Sequence, residues 1–384
     1  MVNPIAPLSL YIHLPWCTRK CPYCDFNSHE LSGAVDEDTY VVALLDDLQQ
    51  DLKLVDGREL QTIFIGGGTP SLFSGNAIAK LLDGVARRSN FAHNIEITME
   101  ANPGSSELEK FSAFRAAGVN RLSIGVQSFS PKHLSSLGRV HSSNEALSAA
   151  NAAQQAGYER INLDIMYALP GQTPANARED IAQAIELDPE HLSCYQLTIE
   201  PNTLFHKQPP ALPNDELGWE IQEIVHESLR SANYQQYEVS AWSKTNAECR
   251  HNLNYWQFGD YLGIGAGAHG KISQPDGSII RYWKQKQPKR YLKSAQDSSR
   301  FGDHKTVSDK ELGFEFLLNA LRLREGFTKG LFEQRTGLSI NSLQPMLSEH
   351  IEKAWLYESN AKIKCSETGY RFLDQLLTDY LPPV

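Results

Sequence analysis

The stretch 11–28 reads YIHLPWCTRKCPYCDFNS and carries Cys17, Cys21 and Cys24 in a C-x3-C-x2-C spacing. The apolar, alternating run Leu8–Leu14 precedes the first cysteine. This order predicts a strand with a cysteine loop at its C-terminal end. A disulfide framework is not expected without a signal peptide, and structural zinc usually takes four ligands in two separated pairs. Three thiolates on an iron–sulfur cluster leave one iron open. The spacing favours such a reactive cluster, with a structural metal loop as the alternative.

Length and charge exclude several classes of protein. The 384 residues allow about two to three domains, and the net charge of −10 argues against nucleic acid as the main partner. No run of about 18 apolar residues occurs, so we expect no membrane span and at most peripheral membrane association. The N-terminus has neither a basic region nor a small-residue cleavage site, which predicts a cytoplasmic location.

Strand and helix patterns alternate through the first half of the chain. The repeat predicts six strand–helix units and therefore a parallel sheet, two units short of a closed eight-stranded barrel. A partial barrel and an open twisted sheet both fit this count. Thr173 is predicted as a helix N-cap with Pro174 at the first helical position, and Gly118 and Gly157 as helix ends with positive φ. After the first strand, the predicted strands are 62–66, 96–101, 121–127, 161–168 and 192–200, and the predicted helices are 35–55, 75–88, 106–117, 142–157 and 173–187.

Glycine or polar residues recur where these strands end, which is the edge at which such folds build their active sites. They are the glycine loop 66–70, Glu100 and Asn102, Gln127, Asp164, and Tyr195 with Gln196. A glycine loop lets a backbone approach a ligand closely, and a carboxylate such as Asp164 amid apolar residues must be paired or bind something. A capping or salt-bridged rim residue is the alternative for Glu100 and Gln127.

The cysteine spacing after a first strand, with Tyr23 before the third cysteine, resembles the radical S-adenosylmethionine (SAM) superfamily. The string Y-x-H-x-P-W-C-x3-C-P-Y-C resembles one branch, which holds the HemN-type oxygen-independent coproporphyrinogen III dehydrogenases and the HemW-type haem chaperones. The resemblance implies an α/β fold, a partial (β/α)6 barrel, and a 4Fe-4S cluster on Cys17, Cys21 and Cys24. It also implies that the amino and carboxylate groups of SAM bind the open iron.

The same resemblance implies the residues of a SAM site, and it carries over Glu100 rather than Glu96. Arg139 suits an anionic ligand such as a carboxylate, although a surface arginine is the alternative. The implied SAM contacts are Tyr11, Tyr23, Gly67, Gly68, Thr69, Glu100, Gln127, Arg139 and Asp164.

A second motif lies at 249–256, where His251, Asn252 and Tyr255 form H-N-x-x-Y. Imidazole and phenolate both bind haem iron, although a lone loop histidine is usually only a polar loop residue. The motif resembles the one that marks the haem-chaperone branch, which implies His251 and Tyr255 as haem ligands. His269, in the glycine-rich stretch 262–270 that the family places over the adenine side, is a further candidate for facing SAM or haem.

The remaining segments complete a three-part organisation. The mixture of cations and aromatic residues at 281–293 favours a solvated loop, with binding of nucleic acid, anionic lipid or haem propionates as the alternative. From about residue 308 the chain resembles a winged helix, with a helix–turn–helix at 327–355 and a β-ribbon at 362–372, but residues 338–351 lack the basic residues of a recognition helix. We therefore predict a barrel at 1–205, a barrel extension with the H-N-x-x-Y and glycine-rich loops at 206–305, and an α+β, winged-helix-like cover or docking domain at 306–384.

Two departures from the HemN type favour the chaperone branch. The position of its fourth cysteine holds Phe26, and only ten residues precede Tyr11. The resemblance therefore implies haem binding and transfer to acceptors such as respiratory-chain cytochromes, and a homodimer is compatible with it. The alternatives are radical oxidative decarboxylation of coproporphyrinogen III and a non-catalytic metal-binding adaptor, so whether the chain is an enzyme stays open.

Overall fold

The computed structural model describes residues 6–104 and 107–382. Its strands are β1 (Leu8–Leu14), β2 (Trp16–Cys17), β3 (His29–Glu30), β4 (Leu60–Gly67), β5 (Phe91–Ala101), β6 (Arg121–Gln127), β7 (Arg160–Tyr167), β8 (His191–Gln196), β9 (Gln235–Glu238), β10 (Ala241–Ser243), β11 (Asp260–Ile264), β12 (His269–Ser273), β13 (Ile279–Lys284), β14 (Phe301–Thr306), β15 (Phe327–Thr328), β16 (Leu356–Ser359) and β17 (Lys362–Cys365).

The helices alternate with these strands up to residue 231 and dominate after residue 308. They are α1 (Glu37–Asp51), α2 (Gly75–Ala86), α3 (Glu107–Ala116), α4 (Pro131–Ser136), α5 (Ser143–Gln155), α6 (Pro174–Glu186), α7 (Leu204–Lys207), α8 (Asp215–Ser231), α9 (Arg250–Trp256), α10 (Pro288–Ser294), α11 (Asp309–Ala320), α12 (Lys329–Thr336), α13 (Met346–Glu352), α14 (Glu367–Arg371) and α15 (Leu373–Thr378).

The central sheet confirms the predicted α/β radical SAM fold. Its order is β14-β13-β12-β11-β1-β4-β5-β6-β7-β8-β10-β9, and β1 and β4 to β8 run parallel to one another. Six of the seven residues of β1 are buried, as expected for a parallel strand covered on both faces. Because the six strands run in the same direction, all their C-terminal ends lie at one edge of the sheet. A helix follows each of these strands in the chain.

Local signals set the helix ends where the sequence predicted them. The Thr173 side chain accepts a hydrogen bond from the Asn176 N–H, and Pro174 opens α6. Gly118 and Gly157 have φ values of 109° and 83°, which favour glycine after a helix. The predicted start of the third helix at Ser106 lies outside the described residues, and the structure has α3 from Glu107.

The segment after α8 adds strands to both edges of the same sheet. β10 and β9 extend it antiparallel beyond β8, and β11 pairs parallel with β1 before β12 to β14 turn back. β9 and β10 are separated only by a two-residue turn at 239–240. The predicted loop at 262–270 is wrong in part, since β11 and β12 occupy most of it and only a tight turn separates them.

The prediction of a solvated loop at 281–293 is wrong. This stretch forms the end of β13 and most of α10, and Lys284 and Tyr291 are fully buried. The Lys284 ammonium lies 2.6 Å from Asp47 Oδ1 and 2.7 Å from Asp51 Oδ2, both on α1. Charged residues can be buried when they are paired, and alternation of cations with aromatic residues does not reveal such a pairing.

The C-terminal part has a separate core and the element order of a winged helix. Phe316, Phe327 and Phe332 pack together there, and β15, β17 and β16 form a three-stranded sheet. The predicted ribbon at 362–372 is displaced, because β16 and β17 pair over 356–365. Ser366 then caps α14, so the second half of the predicted ribbon is helical.

Substituting Lys284→Met tests the buried ion network. The change leaves the Asp47 and Asp51 carboxylates with Arg300 as their remaining cation, so we expect the free energy of unfolding to fall by about 3–5 kcal/mol. Urea denaturation followed by circular dichroism measures this loss. Lys289→Met, an exposed change on α10, is the matched control and should shift stability by no more than about 0.5 kcal/mol. Equal stability of the two variants would contradict the pairing.

Candidate cofactor site

The cysteine loop leaves the sheet at the end of β1 and is closed at its base. β2 pairs parallel with β3, which brings Trp16 opposite His29 and Cys17 opposite Glu30. All three loop cysteines are free thiols; Cys17 is buried, and Cys21 and Cys24 are half-buried. The loop therefore presents three thiols at the same edge as the other strand ends.

The glycine loop after β4 lies against the cysteine loop. Gly67 has a φ of 119°, and a Cβ there would come within 2.6 Å of the His13 ring, whereas a Cβ on Gly68 would lie 2.4 Å from the Trp16 carbonyl oxygen. The Thr69 N–H donates to that same carbonyl at 2.7 Å. Only glycine permits the two loops to approach each other this closely. The packing of the loops therefore requires these glycines, whether or not a ligand also needs them.

A cavity of about 460 Å³ opens between these loops. It brings together the three cysteines and eight of the nine predicted SAM contacts, from five different strand ends. The predicted residues that line it are Cys17, Cys21, Cys24, Tyr23, Gly67, Gly68, Thr69, Glu100, Gln127, Arg139 and Asp164.

Arg139 is held in this cavity rather than on the surface. Its Nη2 donates to Asn102 Oδ1 at 2.7 Å and to the Gly125 carbonyl at 2.9 Å, and its Nη1 lies 3.6 Å from Cys21 Sγ. Its Nε is buried without a hydrogen-bond partner among the described residues. The guanidinium therefore retains one N–H without a hydrogen-bond partner. Its charge lies beside Cys21, where it can attract an anionic group or the thiolates themselves.

Two buried carboxyl groups also line this cavity. Glu100 Oε2 accepts a hydrogen bond from the Gly67 N–H at 3.1 Å, and Asp164 accepts from Asn162 Nδ2 at 2.8 Å and from Ser123 Oγ at 3.3 Å. Burial and, to a smaller extent, the nearby Asp164 carboxylate together raise the pKa of Glu100 to about 7. Burial also raises the pKa of Asp164. A cationic ligand would favour the ionised form of both.

The thiols fit a cluster better than a single ion. Across residues 6–104 and 107–382, no group of three or more His, Cys, Asp or Glu side chains is placed to hold one metal ion. The irons of a cuboidal cluster lie apart from one another, so its thiolates need not converge on one point. Three free thiols at the mouth of a cavity, with an unpartnered guanidinium N–H beside them, therefore suit an iron–sulfur cluster with room for a ligand.

A second, larger cavity of about 830 Å³ adjoins the first. The two share Cys24, Phe26, Gly67 and Glu100 as a common wall. The structure places the ninth predicted SAM contact, Tyr11, in this second cavity, where its hydroxyl lies 2.9 Å from His13 Nδ1. The strand register places Tyr11 on the same face of the sheet as Glu100, which lines both cavities.

The H-N-x-x-Y motif lies on helix α9, not in a loop as predicted. His251 is 1% exposed and lines neither of these cavities. Its Nδ1 lies 2.7 Å from Thr62 Oγ1 and its Nε2 lies 2.9 Å from the Tyr255 hydroxyl, and burial lowers the pKa of His251 to about 3. Tyr255 separates His251 from the second cavity, which it lines itself. Direct iron binding by His251 would require its Nε2 to leave Tyr255.

Several residues at the site carry no motif signal of their own. Asn102 directly follows β5 and accepts a hydrogen bond from Arg139. Asn27 Nδ2 ties the cysteine loop to two segments, with bonds of 2.8 Å to Ala266 O in the turn after β11 and 2.9 Å to Lys286 O after β13. The position of Asn102 at a strand end was visible in the sequence. The role of Asn27 depends on the pairing of β11 with β1, which no local pattern predicts.

A thiol loop after the first parallel strand and a glycine loop after the second define the radical SAM class of proteins. A model of the Radical SAM superfamily matches residues 11–184, and a model of the HemN C-terminal domain matches residues 307–372. The solved coproporphyrinogen III oxidase (HemN) of Escherichia coli, described as a radical SAM enzyme, has the same fold with a TM-score of 0.83 at 21% identity, over 99% of this chain and 91% of that one. Radical SAM proteins carry a 4Fe-4S cluster and SAM.

Two similar proteins identify the family within the radical SAM class. "Heme chaperone HemW" of Escherichia coli (strain K12) is 51% identical over 382 residues, which cover 98% of this chain and 99% of that protein. The protein of the same name in Haemophilus influenzae is 48% identical over 98% of both chains. The chain belongs to the HemW family. Within its described part, the longest apolar helices are too short or too polar to cross a membrane.

Replacing Cys21 tests the three-thiol site. Cys21→Ser removes the half-buried thiol nearest Arg139, so after anaerobic reconstitution we expect the iron and sulfide content to fall to less than about half of the wild-type content. Elemental analysis and the visible absorption of the cluster measure this loss. Cys365→Ser, in the C-terminal part, is the matched control and should retain the full content. A full cluster in Cys21→Ser would overturn the assignment.

Proposed function

We propose that this chain is a haem chaperone that carries a 4Fe-4S cluster on Cys17, Cys21 and Cys24, binds SAM beside it, and transfers haem to acceptor proteins. The observation that carries the proposal is the pair of adjoining cavities. One is lined by thiols, glycines and carboxyls, and the other by aromatic residues, histidines and cations. The names of the HemW relatives support haem as the cargo.

The first cavity supplies complementary groups for SAM, which has a carboxylate, an amino group and a sulfonium. Arg139 offers a cation with an unused N–H, and Glu100 and Asp164 offer anions across the cavity. The Gly67–Thr69 backbone approaches without side-chain obstruction. With SAM bound, a reduced 4Fe-4S cluster would supply the electron for cleavage of SAM to a radical. The chain's own contribution would be to place Arg139 near the carboxylate of SAM and the two carboxyl groups near its cationic groups or hydroxyls.

The second cavity has the size and lining that a tetrapyrrole requires. Its volume of about 830 Å³ lies in the range of small-molecule sites, and Tyr11, Tyr255 and Tyr261 give it aromatic walls. Tyr255 connects this cavity to the buried His251 through the 2.9 Å contact. We propose that the H-N-x-x-Y motif acts here, with Tyr255 at the ligand and His251 fixing the orientation of its hydroxyl.

The acceptors proposed from the sequence are respiratory-chain cytochromes, and a homodimer remains part of the proposal. A bound haem in the second cavity would lie beside Phe26, which is 59% exposed. Phe26 stands where HemN-type enzymes have a cysteine, and its exposed apolar ring at the edge of the cavity could contact an acceptor protein during transfer.

A combined assay tests carriage against catalysis. The reconstituted chain is loaded with haem and mixed anaerobically with an apo-cytochrome b domain. A parallel sample receives SAM, a reductant and coproporphyrinogen III. We expect the haem spectrum to move to the cytochrome and the porphyrinogen to keep its four propionates on chromatography. Conversion of the porphyrinogen to protoporphyrinogen would instead assign the chain as a dehydrogenase, and no haem binding at all would reject the chaperone proposal.

Glu100 gives SAM binding a predictable pH dependence. Its pKa is raised to about 7, mainly by burial, so its carboxyl becomes charged as the pH rises through neutrality. SAM carries net positive charge, so we expect its affinity to rise by up to about tenfold between about pH 6 and about pH 8, following the ionised fraction. Equilibrium dialysis with the cluster-loaded chain measures this. Glu100→Gln should flatten the profile, and an unchanged profile in that variant would exclude Glu100 as its source.

A further inference from the structure

The histidines around the second cavity differ in what their ring nitrogens already contact. His13 lies 2.9 Å from the Tyr11 hydroxyl through Nδ1 and 2.9 Å from the Asn27 carbonyl through Nε2, so both nitrogens are occupied. His29 Nε2 lies 3.3 Å from the Lys286 carbonyl. His251 is outside the cavity with both nitrogens occupied. His13 and His251 therefore cannot bind iron without losing an existing contact, and His29 already uses one of its two ring nitrogens.

His269 is the exception. It lines the second cavity, it is exposed, and its imidazole makes no hydrogen bond within the described part of the chain. The ring lies nearly parallel to Trp283, with centroids 6.0 Å apart and an interplanar angle of 27°. An imidazole that faces a cavity with both nitrogens available has the chemistry of an axial ligand.

The backbone that carries His269 is firmly positioned. His269 opens β12 and pairs with Trp283 of β13, and a Cβ on the preceding-strand residue Gly263 would come within 1.8 Å of the His269 carbonyl oxygen. The turn before it packs on the cysteine loop, since Asn27 Nδ2 donates to the Ala266 carbonyl at 2.8 Å. His269 is therefore held at a fixed place relative to the thiols.

The cavity offers a cation that can receive an anionic ligand. Four cations and two carboxylates line it, and carboxylates outside the lining neutralise two of the four cations. The ammonium of Lys271 is buried against Asp260, and Arg281 is paired with Glu315. Lys286, two residues beyond β13, is exposed and has no carboxylate within salt-bridge distance in the described chain. It can bind a carboxylate of a ligand without breaking an ion pair.

We propose that His269 is the iron-binding histidine of a haem held in the second cavity, with Lys286 binding a propionate. The inference rests on the proposed function and refines it. The imidazole donates a lone pair to the iron and displaces a water ligand, with no change in oxidation state. His251 then acts as a positioning residue through Tyr255, rather than as the ligand.

Haem titration of the full chain separates the two histidines. Hemin is added to the wild type, His269→Ala, His251→Ala and the control His304→Ala, an exposed change on β14. We expect His269→Ala to lose at least about tenfold in affinity and to lose the iron–histidine stretch in the resonance Raman spectrum of the ferrous haem. Added imidazole should restore the Soret position of this variant. His251→Ala should keep the iron–histidine stretch, although its affinity can fall through misplacement of Tyr255.

The outcomes distinguish the inference from the proposed function. If the wild type binds haem and His269→Ala keeps its stretch and affinity, the assignment of His269 is wrong while haem carriage stands. Loss of the stretch in His251→Ala alone, with a folded circular dichroism spectrum, would also overturn it. If the wild type binds no hemin, both the inference and the chaperone proposal fail. Lys286→Gln should weaken binding about threefold without moving the Soret band, and an unchanged affinity would remove Lys286 from the site.

Discussion

The pairing of β1 with a parallel strand on each side is the constraint on which the site depends. β4 flanks it over seven residues from the first half of the chain, and β11 flanks it over five from the second half. The cysteine loop therefore emerges between the glycine loop after β4 and the glycine turn after β11. Asn27 fixes this arrangement by bonding carbonyl groups of Ala266 and Lys286. Hydrogen bonds of the sheet thus determine which groups surround the thiols.

Two adjoining cavities open at this edge of the sheet. The cysteine loop lines both of them through Cys24 and Phe26. Cys24, Gly67 and Glu100 belong to both cavities and form the wall between them. A ligand in either cavity would alter the field at Glu100, whose raised pKa shows how weakly solvated its carboxyl is. This shared wall gives a physical route by which ligands in the two cavities would influence each other.

Local periodicity was sufficient to predict the parallel half of the sheet. The strand and helix limits up to residue 187 agree with the pattern to within a few residues, because buried parallel strands and amphipathic helices leave strong signals. The edge strands after residue 231 were predicted poorly. β11, β13 and α10 are stabilised by partners distant in sequence, as in the contact of Lys284 with Asp47, and no short window contains both members of such a pair.

The candidate site shows the same division. Residues at strand ends, such as Glu100 and Asp164, could be predicted to lie together because the topology brings those ends to one edge. The placement of Tyr11 in the second cavity and of His251 behind Tyr255 could not, because it depends on which way a side chain points after distant strands have paired. His269 stood out in the sequence only as a member of a glycine-rich stretch. Only the structure shows that, in the described part of the chain, its ring nitrogens have no hydrogen-bond partner.

The central claim is that haem binds in the cavity beside the thiols. Diffraction from crystals of the cluster-loaded chain soaked with hemin, recorded at the iron absorption edge, tests this claim directly. The account predicts one anomalous peak at Cys17, Cys21 and Cys24 and a second, with planar tetrapyrrole density around it, between Tyr255 and His269. A haem peak elsewhere, on the C-terminal domain or at the outer surface of the sheet, would contradict the account.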